Sequence, residues 1–402
     1  MHLTQFQQAM LDGKHGRATR KAMEILTTLG RIYEAEQMLA VSSVQVAGVS
    51  YDNLGEAGLH FLAEMADGGG QARVLTTLNP AGMDIENWQA LGISPEFAAQ
   101  QQRVIEAYAR MGVITTCSCT PYLTGNVPHF GEHIAWAESS AVCYANSVMG
   151  ARTNREGGPS ALAAALTGFT PAYGLHLDEN RRPNLTMQVK AQPIETSGFG
   201  ALGKVIGERL EARGKARLPY ITGIRPDPAP SLENLKSFCA SIATYGGVAL
   251  FHMPGITPEA DQFDAPDETI TITQADLDDA LRRMSDAASE EIDFVSLGCP
   301  HLSITEIARL AKLLEGKKVK KTFWITTARP TLQIANQMGY TKIIEESGAI
   351  FAADTCCVVA PIRGRFTALA TDSAKACYYA SSKNRFKTLV CSFEQVVKEA
   401  LR

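Results

Sequence analysis

The feature that most constrains this chain is its alternation of short strand-like apolar runs with stretches of helical periodicity. Candidate strands are Met38 to Val49, Arg73 to Leu78, Val113 to Thr116, Leu185 to Val189, Val248 to His252, Ile292 to Leu297, Thr322 to Thr327 and Ala349 to Ala353. Strands separated by helix-length intervals pair most simply in parallel, with the helices packed on the sheet faces as crossovers. Helix starts fit that pattern. Ser94-Pro95 reads as a cap with proline in the first turn, and Ser303 with Glu306 reads as a capping box. Two amphipathic helices open the chain, the first capped by Thr4 with Gln7 and stopped near Gly13. The second carries Ala22, Ile25, Leu26, Leu29 and Ile32 at helical spacing. The expected class is α/β, a core of layered subdomains with mostly parallel sheets. Possible subdomains are 1–156, 157–290 and 291–402, with seams suggested by Gly157-Gly158-Pro159 and by the proline-rich Arg225 to Pro230.

Composition narrows the possible partners. The 402 residues are 45% hydrophobic and 20% charged, with no low-complexity tract, as expected of a globular protein with a large core. The 38 basic and 42 acidic residues are interspersed and leave a formal charge of −4, which gives no electrostatic footprint for nucleic acid or an anionic membrane. The N-terminus lacks a signal-peptide pattern, and no segment reaches the roughly 20 apolar residues of a membrane span. A cytoplasmic protein acting on a small molecule is expected. Its nine cysteines are then free, metal-bound or catalytic rather than disulfide-bonded.

Ligands of open α/β sheets collect at the carboxyl ends of the strands. Cys117 and Cys119 follow Val113 to Thr116; Cys299 follows Phe294 to Gly298; Cys356 and Cys357 follow Ile350 to Thr355. Three strand exits thus present a thiol, and thiolates meeting at one rim can hold an iron–sulfur cluster with one iron open. An open iron is a Lewis acid that assists departure of a hydroxyl while a base removes a proton from the adjacent carbon. The competing reading is that these cysteines are small core side chains, and it is favoured for Cys143, Cys239, Cys377 and Cys391, which sit inside apparent helices or strands. Zinc fits less well, because Cys117-Ser118-Cys119 lacks structural-site spacing.

Candidate substrate contacts lie in loops. Gly150 to Gly158 places Arg152, Asn154 and Arg155 in a glycine-flanked segment, where guanidinium forks suit a carboxylate. Thr76 to Gly82 and Ser42 to Tyr51 bring hydroxyls and amides to strand ends, although turn-forming hydrogen bonds explain such residues about as well. Gly198-Phe199-Gly200-Ala201-Leu202-Gly203 matches the dinucleotide fingerprint, but it stands off from the preceding strand and no acid follows near Tyr220-Ile221-Thr222. A nicotinamide site is rejected. Phosphate-loop lysine, serine elbow and His-Glu-x-x-His motifs are absent from the sequence.

The chain resembles the aconitase X family over nearly its whole length. The stretches that carry the likeness include Gln45 to Tyr51, Thr76 to Asp84, Thr116 to Tyr122, Gly131 to Ser140, Gly150 to Gly158, Gly298-Cys299-Pro300-His301 and Asp354-Thr355-Cys356. The resemblance implies a hydro-lyase of aconitase-like architecture, with an iron–sulfur or iron centre held by Cys119, Cys299 and Cys356. Cys117 is the substitute within the close pair, and Glu138 is a possible carboxylate ligand. It also implies His301 as a catalytic donor, and substrate contacts from Ser50, Tyr51, Thr77, Asn79, Ser139, Ser140, Arg152, Asn154, Arg155, Ser373 and Lys375. A swivelling domain closes such sites and supplies the base. The chain ends at Arg402 with no room for that domain, so a separate small subunit is expected to bring it. Two substrates follow from the likeness, cis-3-hydroxy-L-proline and 5-phosphomevalonate. A composition without Lys/Glu enrichment points to a mesophilic bacterium and favours hydroxyproline, while Arg152, Arg155, Lys190 and Lys375 keep the phosphate substrate in play. A non-catalytic metal-binding homologue is the remaining alternative.

Overall fold

A computed structural model describes residues 1–214 and 218–402. The expected opening helices are Gln5–Leu11 and Arg17–Ile32, the first closed by the Thr4–Gln7 capping box. Strands β1 (Met38–Ala40) and β5 (Phe169–Pro171) pair as an antiparallel ribbon. Beside it β2 (Ser43–Val46), β3 (Leu75–Leu78) and β4 (Ala135–Trp136) form a parallel sheet in the order β3-β2-β4. A second parallel sheet, β7-β6-β8, joins Pro219–Thr222, Leu185–Val189 and Thr269–Ile272. The third, β11-β10-β9-β12-β13, is parallel throughout and comprises Ile350–Ala353, Thr322–Thr327, Phe294–Leu297, Ala368–Thr371 and Lys387–Val390. The class is α/β with mostly parallel sheets.

Strand order places the crevices. In the third sheet the chain runs outward from β9 through β10 to β11, then returns to lay β12 on the other side of β9. The crossovers leaving β9 and entering β12 diverge, which opens a gap at the carboxyl ends of these two strands. The first sheet repeats the device on a smaller scale, with β4 laid beside β2 after the excursion to β3.

Two expected strands are reduced to single bridges, Ile114 with Thr77 and His252 with Tyr220. After the first, the chain turns away at Cys117 (φ +44°); after the second, Pro254 and Gly255 (φ +68°) end any pairing. The seam expected at 156/157 falls inside the first unit, the one built on the β3-β2-β4 sheet; the second is built on the β7-β6-β8 sheet. Gly158–Thr167 is a helix whose Ala161 to Leu166 belong to the same core as Leu26, Val44 and Val104. Arg225 to Pro230 is a loop directly after β7 rather than a boundary.

The glycine-rich stretch rejected as a nucleotide motif lies within the helix Glu195–Glu211. There it permits close packing on the helix Leu232–Gly246. A Cβ on Gly203 would lie 2.8 Å from the Phe238 carbonyl oxygen, and one on Gly207 would lie 2.8 Å from the Gly246 nitrogen. Ser241 Oγ donates to the Gly200 carbonyl at 2.6 Å across the same seam. Gly203→Ala should therefore cost about 1–3 kcal/mol by forcing the helices apart, read as a lower midpoint in chemical denaturation.

Candidate active site

Loops from the carboxyl ends of the first and third sheets close on one cavity of about 200 Å3, into which Cys119, Cys299 and Cys356 all project. Cys119 lies on the loop that crosses the end of β3, where the Ser118 amide donates to the Leu78 carbonyl at 2.9 Å. Cys299 leaves β9 after Gly298, whose φ of +108° and proximity to Thr326 require glycine; a Cβ there would stand 2.1 Å from the Thr326 carbonyl oxygen. Cys356 follows β11 through Asp354, whose carbonyl accepts from the Ala81 amide at 2.8 Å and whose carboxylate is held by Arg329. Arg329 also grips Asp84 at 2.6 Å, and Asp84 accepts from the Ala353 amide at 2.9 Å. This network fixes the Asn79–Asp84 loop of the first unit against the end of β11.

Lys375 and Glu138 face each other across the cavity wall. Lys375 follows β12, Glu138 follows β4, and the two form a buried ion pair. Glu138 also accepts from Asn79 Nδ2 at 2.9 Å and Ser140 Oγ at 2.9 Å, while its amide donates to Gln45 Oε1 at 3.1 Å. Burial alone would raise the Glu138 pKa, but the Lys375 charge and these donors hold it below the ordinary value. Burial likewise opposes the Lys375 charge, and Glu138 overcomes it, so the ammonium is held more strongly than in water. In the thiols burial prevails and favours the neutral form. Burial, then Glu138 and Cys356, push Cys119 up to about 12. Burial is also the main cause of the upward shifts of Cys299 and Cys356.

The cavity thus gathers Cys119, Cys299, Cys356, Asn79, Glu138, Ser139 and Lys375 of the expected residues. Others are placed elsewhere. Cys117 is 0% exposed in the core of the first unit and does not line the cavity. His301 is also 0% exposed, does not line the cavity, and is held down to about 4, chiefly by burial, as a neutral ring. Ser50 donates to the Val359 carbonyl, Tyr51 to Glu56, and Thr77 to the Val44 carbonyl; Ser140 serves Glu138 and Ser373 caps a helix. Arg152 pairs with Asp178 at a different cleft, Asn154 accepts from the Leu175 amide and donates to the Tyr173 carbonyl, and Arg155 is exposed. Arg152 and Asn154 are committed to local structure, and none of the three lines this cavity. Lining residues that the sequence did not single out include Asn53, Tyr379 and Lys383. A larger cleft of about 710 Å3 lies between Asn154 and Leu250, but no thiol lines it.

Several observations test whether these residues suit an iron–sulfur group. Three thiols from separate loops share the cavity, an amide already donates to Cys119 Sγ at 3.3 Å, and the Thr355 hydroxyl beside Cys356 is buried without a partner. Among the described residues, no three His, Cys, Asp or Glu side chains close around a single ion. A polynuclear cluster does not ask for that, since each thiolate binds its own iron and the sulfurs stand farther apart. The donor set fits.

Comparison with known proteins gives the family. Models of the aconitase X first, second and third domains match residues 1–179, 183–282 and 292–402. The chain is 46% identical over 383 residues to the phosphomevalonate dehydratase large subunit of Methanothermobacter thermautotrophicus, covering 94% of each. Identity to the same subunit of Methanocaldococcus jannaschii is 42% over 407 residues, covering 99% of this chain and 100% of that one. It is 34% identical over 392 residues to the cis-3-hydroxy-L-proline dehydratase of Pseudomonas aeruginosa, spanning 94% of this chain and 66% of that one. The crystal structure of Thermococcus kodakaraensis aconitase X (holo-form) superposes with a TM-score of 0.92 at 42% identity, over the whole of both chains.

Fold and relatives together define a dehydratase, a hydro-lyase built on layered parallel sheets. More narrowly, the chain belongs to the aconitase X family. The composition-based preference for hydroxyproline finds no support here, because bulk composition reports on growth conditions and carries no information about a pocket.

The ion pair gives a direct prediction. Lys375→Met leaves a buried carboxylate unpaired and should cost about 3–5 kcal/mol, whereas adding Glu138→Gln should recover most of that loss. With Glu138 depressed and Lys375 raised, the pair's contribution is full between the ordinary values of 4.5 and 10.5. It should fall away as pH drops through the Glu138 pKa or climbs through that of Lys375. Denaturant midpoints measured across pH for wild type and the double variant check both points.

Proposed function

We propose that this chain is the large subunit of a phosphomevalonate dehydratase, holding an iron–sulfur centre on Cys119, Cys299 and Cys356 and working with a separate small subunit in the cytoplasm. The observation that carries this reading is one cavity combining three thiols with two lysines, in a chain whose full-length relatives are phosphomevalonate dehydratase large subunits. Nine free thiols suit a reducing compartment, and among the described residues no helix is long and apolar enough to cross a membrane.

The reaction removes a proton from carbon and hydroxide from the neighbouring carbon, leaving a double bond and water. When bound, an open iron of the centre supplies Lewis acidity to the departing hydroxyl. The chain's own residues bind and orient. Lys375, neutralised in place by Glu138, presents a fixed ammonium beside the thiols, and Asn79 Nδ2 steadies the same carboxylate. Lys383, at the same cavity, pairs with the half-exposed Asp52 at 2.9 Å and donates to the Val358 carbonyl at 3.2 Å. A phosphate that displaces Asp52 meets a cation already in position, a contact that hydroxyproline, which carries no phosphate, does not use. Glu138 is ion-paired and a weakened base, and His301 is walled off, so the proton acceptor is assigned to the small subunit, whose closure also excludes water.

The test is to reconstitute the chain anaerobically with iron, sulfide and its small subunit, then offer 5-phosphomevalonate and cis-3-hydroxy-L-proline separately. Turnover of the phosphorylated substrate is expected, and exclusive turnover of hydroxyproline would overturn the assignment. Cys299→Ala should abolish both the visible charge-transfer absorption and activity. Lys383→Met should raise KM for 5-phosphomevalonate by about 10-fold, in line with losing one charge-assisted contact of about 1.5 kcal/mol.

A further inference from the structure

We propose that His301 is the positioning residue that holds the three thiol-bearing loops in register and so sets how firmly the iron centre is retained. The proposal rests on the reading above that Cys119, Cys299 and Cys356 hold that centre. His301 stands two residues after Cys299, on the same loop. Its backbone N–H donates to Cys119 Sγ at 3.3 Å. Its ring nitrogens face the other two loops: Nε2 lies 2.9 Å from the Thr355 carbonyl oxygen, next to Cys356, and Nδ1 lies 3.3 Å from Ser118 Oγ, next to Cys119. One residue therefore touches the chain beside each of the three thiols.

The chemistry of the ring fixes its orientation. A carbonyl oxygen only accepts, so the Thr355 contact places the proton on Nε2; Nδ1 is then the acceptor and the Ser118 hydroxyl donates to it. A single neutral tautomer satisfies both loops. The ring is 0% exposed, so water does not stand in for either partner, and a partner left alone pays its full desolvation cost. The backbone is fixed as well. The His301 carbonyl accepts from Lys236 Nζ at 2.9 Å, and Lys236 is itself buried and paired with Glu306 at 2.5 Å. Lys236 belongs to the helix Leu232–Gly246 of the second unit, so the tie also anchors the thiol loops to a unit that contributes no thiol to the cavity.

An imidazole offers two opposed nitrogens on a rigid ring, which spans two loops without the rotamer freedom of a longer side chain. The arrangement matches the outer layer of metal sites, where groups behind the ligands orient them and where substitution costs roughly 10–100-fold in metal affinity. The amide on Cys119 Sγ adds a hydrogen bond to a ligand sulfur, one of the levers that tune such centres.

The test compares the full-length wild type with His301→Ala, His301→Gln and Ser118→Ala after anaerobic reconstitution with ferrous iron and sulfide. Iron per chain, visible circular dichroism and the rate at which a chelator strips iron are read together with the melting temperature. Iron loss from His301→Ala should be faster by about 10-fold or more, with an altered visible spectrum. His301→Gln, which keeps a donor for Thr355, should recover part of the retention, and Ser118→Ala, which removes one hydroxyl alone, should fall between wild type and His301→Ala. Wild-type retention and spectrum in His301→Ala would overturn the proposal. Should His301→Ala fail to fold, Ser118→Ala decides, and a wild-type release rate there overturns it equally. A wild-type chain that takes up no iron would overturn the metal assignment and this proposal with it, whereas normal wild-type uptake beside an unaffected His301→Ala sinks this proposal alone.

Discussion

The buried contact between Lys375 and Glu138 is the constraint on which the rest of the site depends. Each residue stands at a point where a parallel sheet reverses its strand order, Lys375 after β12 and Glu138 after β4. Parallel sheets leave a crevice at such points because the flanking crossovers run in opposite directions. Joining the two through one ion pair sets the crevices face to face. The Cys299 and Cys356 loops then need only follow β9 and β11, and the Cys119 loop cross the end of β3, to arrive at a common cavity. Taking two charges out of water is expensive unless they are paired and hydrogen-bonded, and the Asn79 and Ser140 donors to Glu138 meet that requirement.

Around this pair the polar interior is organised in layers. The cavity wall carries the thiols, the ammonium and the carboxylate. Behind it lies a shell of fully committed groups: Gln45 bridging the Glu138 amide and the Ser118 carbonyl, His301 bridging Ser118 and Thr355, and Arg329 clasping Asp84 and Asp354. Gln45 and His301 are sealed from solvent, and Arg329 is only partly exposed. Their contribution is geometric, and it explains why short loops with little regular structure can hold reactive side chains in fixed relation.

Much of the architecture was legible in the sequence, where the physics is local. Leu185–Val189 and Thr322–Thr327 form strands over the expected residues, and the caps at Thr4, Ser94 and Ser303 are in place. Cys299 and Cys356 were legible at the exits of β9 and β11 for a related reason, since the end of an apolar run marks where a parallel sheet presents its loops, whereas the run before Cys119 forms only the Ile114–Thr77 bridge. What failed was tertiary. Arg152, Asn154 and Arg155 read as a carboxylate clamp because guanidinium groups in a glycine-flanked loop look available, yet Asp178 and the Tyr173 and Leu175 backbone claim the first two. Cys117 and Cys119 are indistinguishable by spacing; a positive φ at Cys117 decides which one enters the core. Lys383, Tyr379 and Asn53 carry no local signal because only the packing of distant helices brings them to the cavity.

The central claim is that the three sulfurs meet at one iron-bearing centre beside the Lys375–Glu138 pair. Anomalous diffraction at the iron absorption edge, from crystals of the anaerobically reconstituted chain, tests it most directly. The account predicts strong iron density in the cavity of about 200 Å3, bonded to Cys119, Cys299 and Cys356. Iron bound elsewhere, or a centre ligated by Cys117 or Cys357 in place of one of the three, would contradict it.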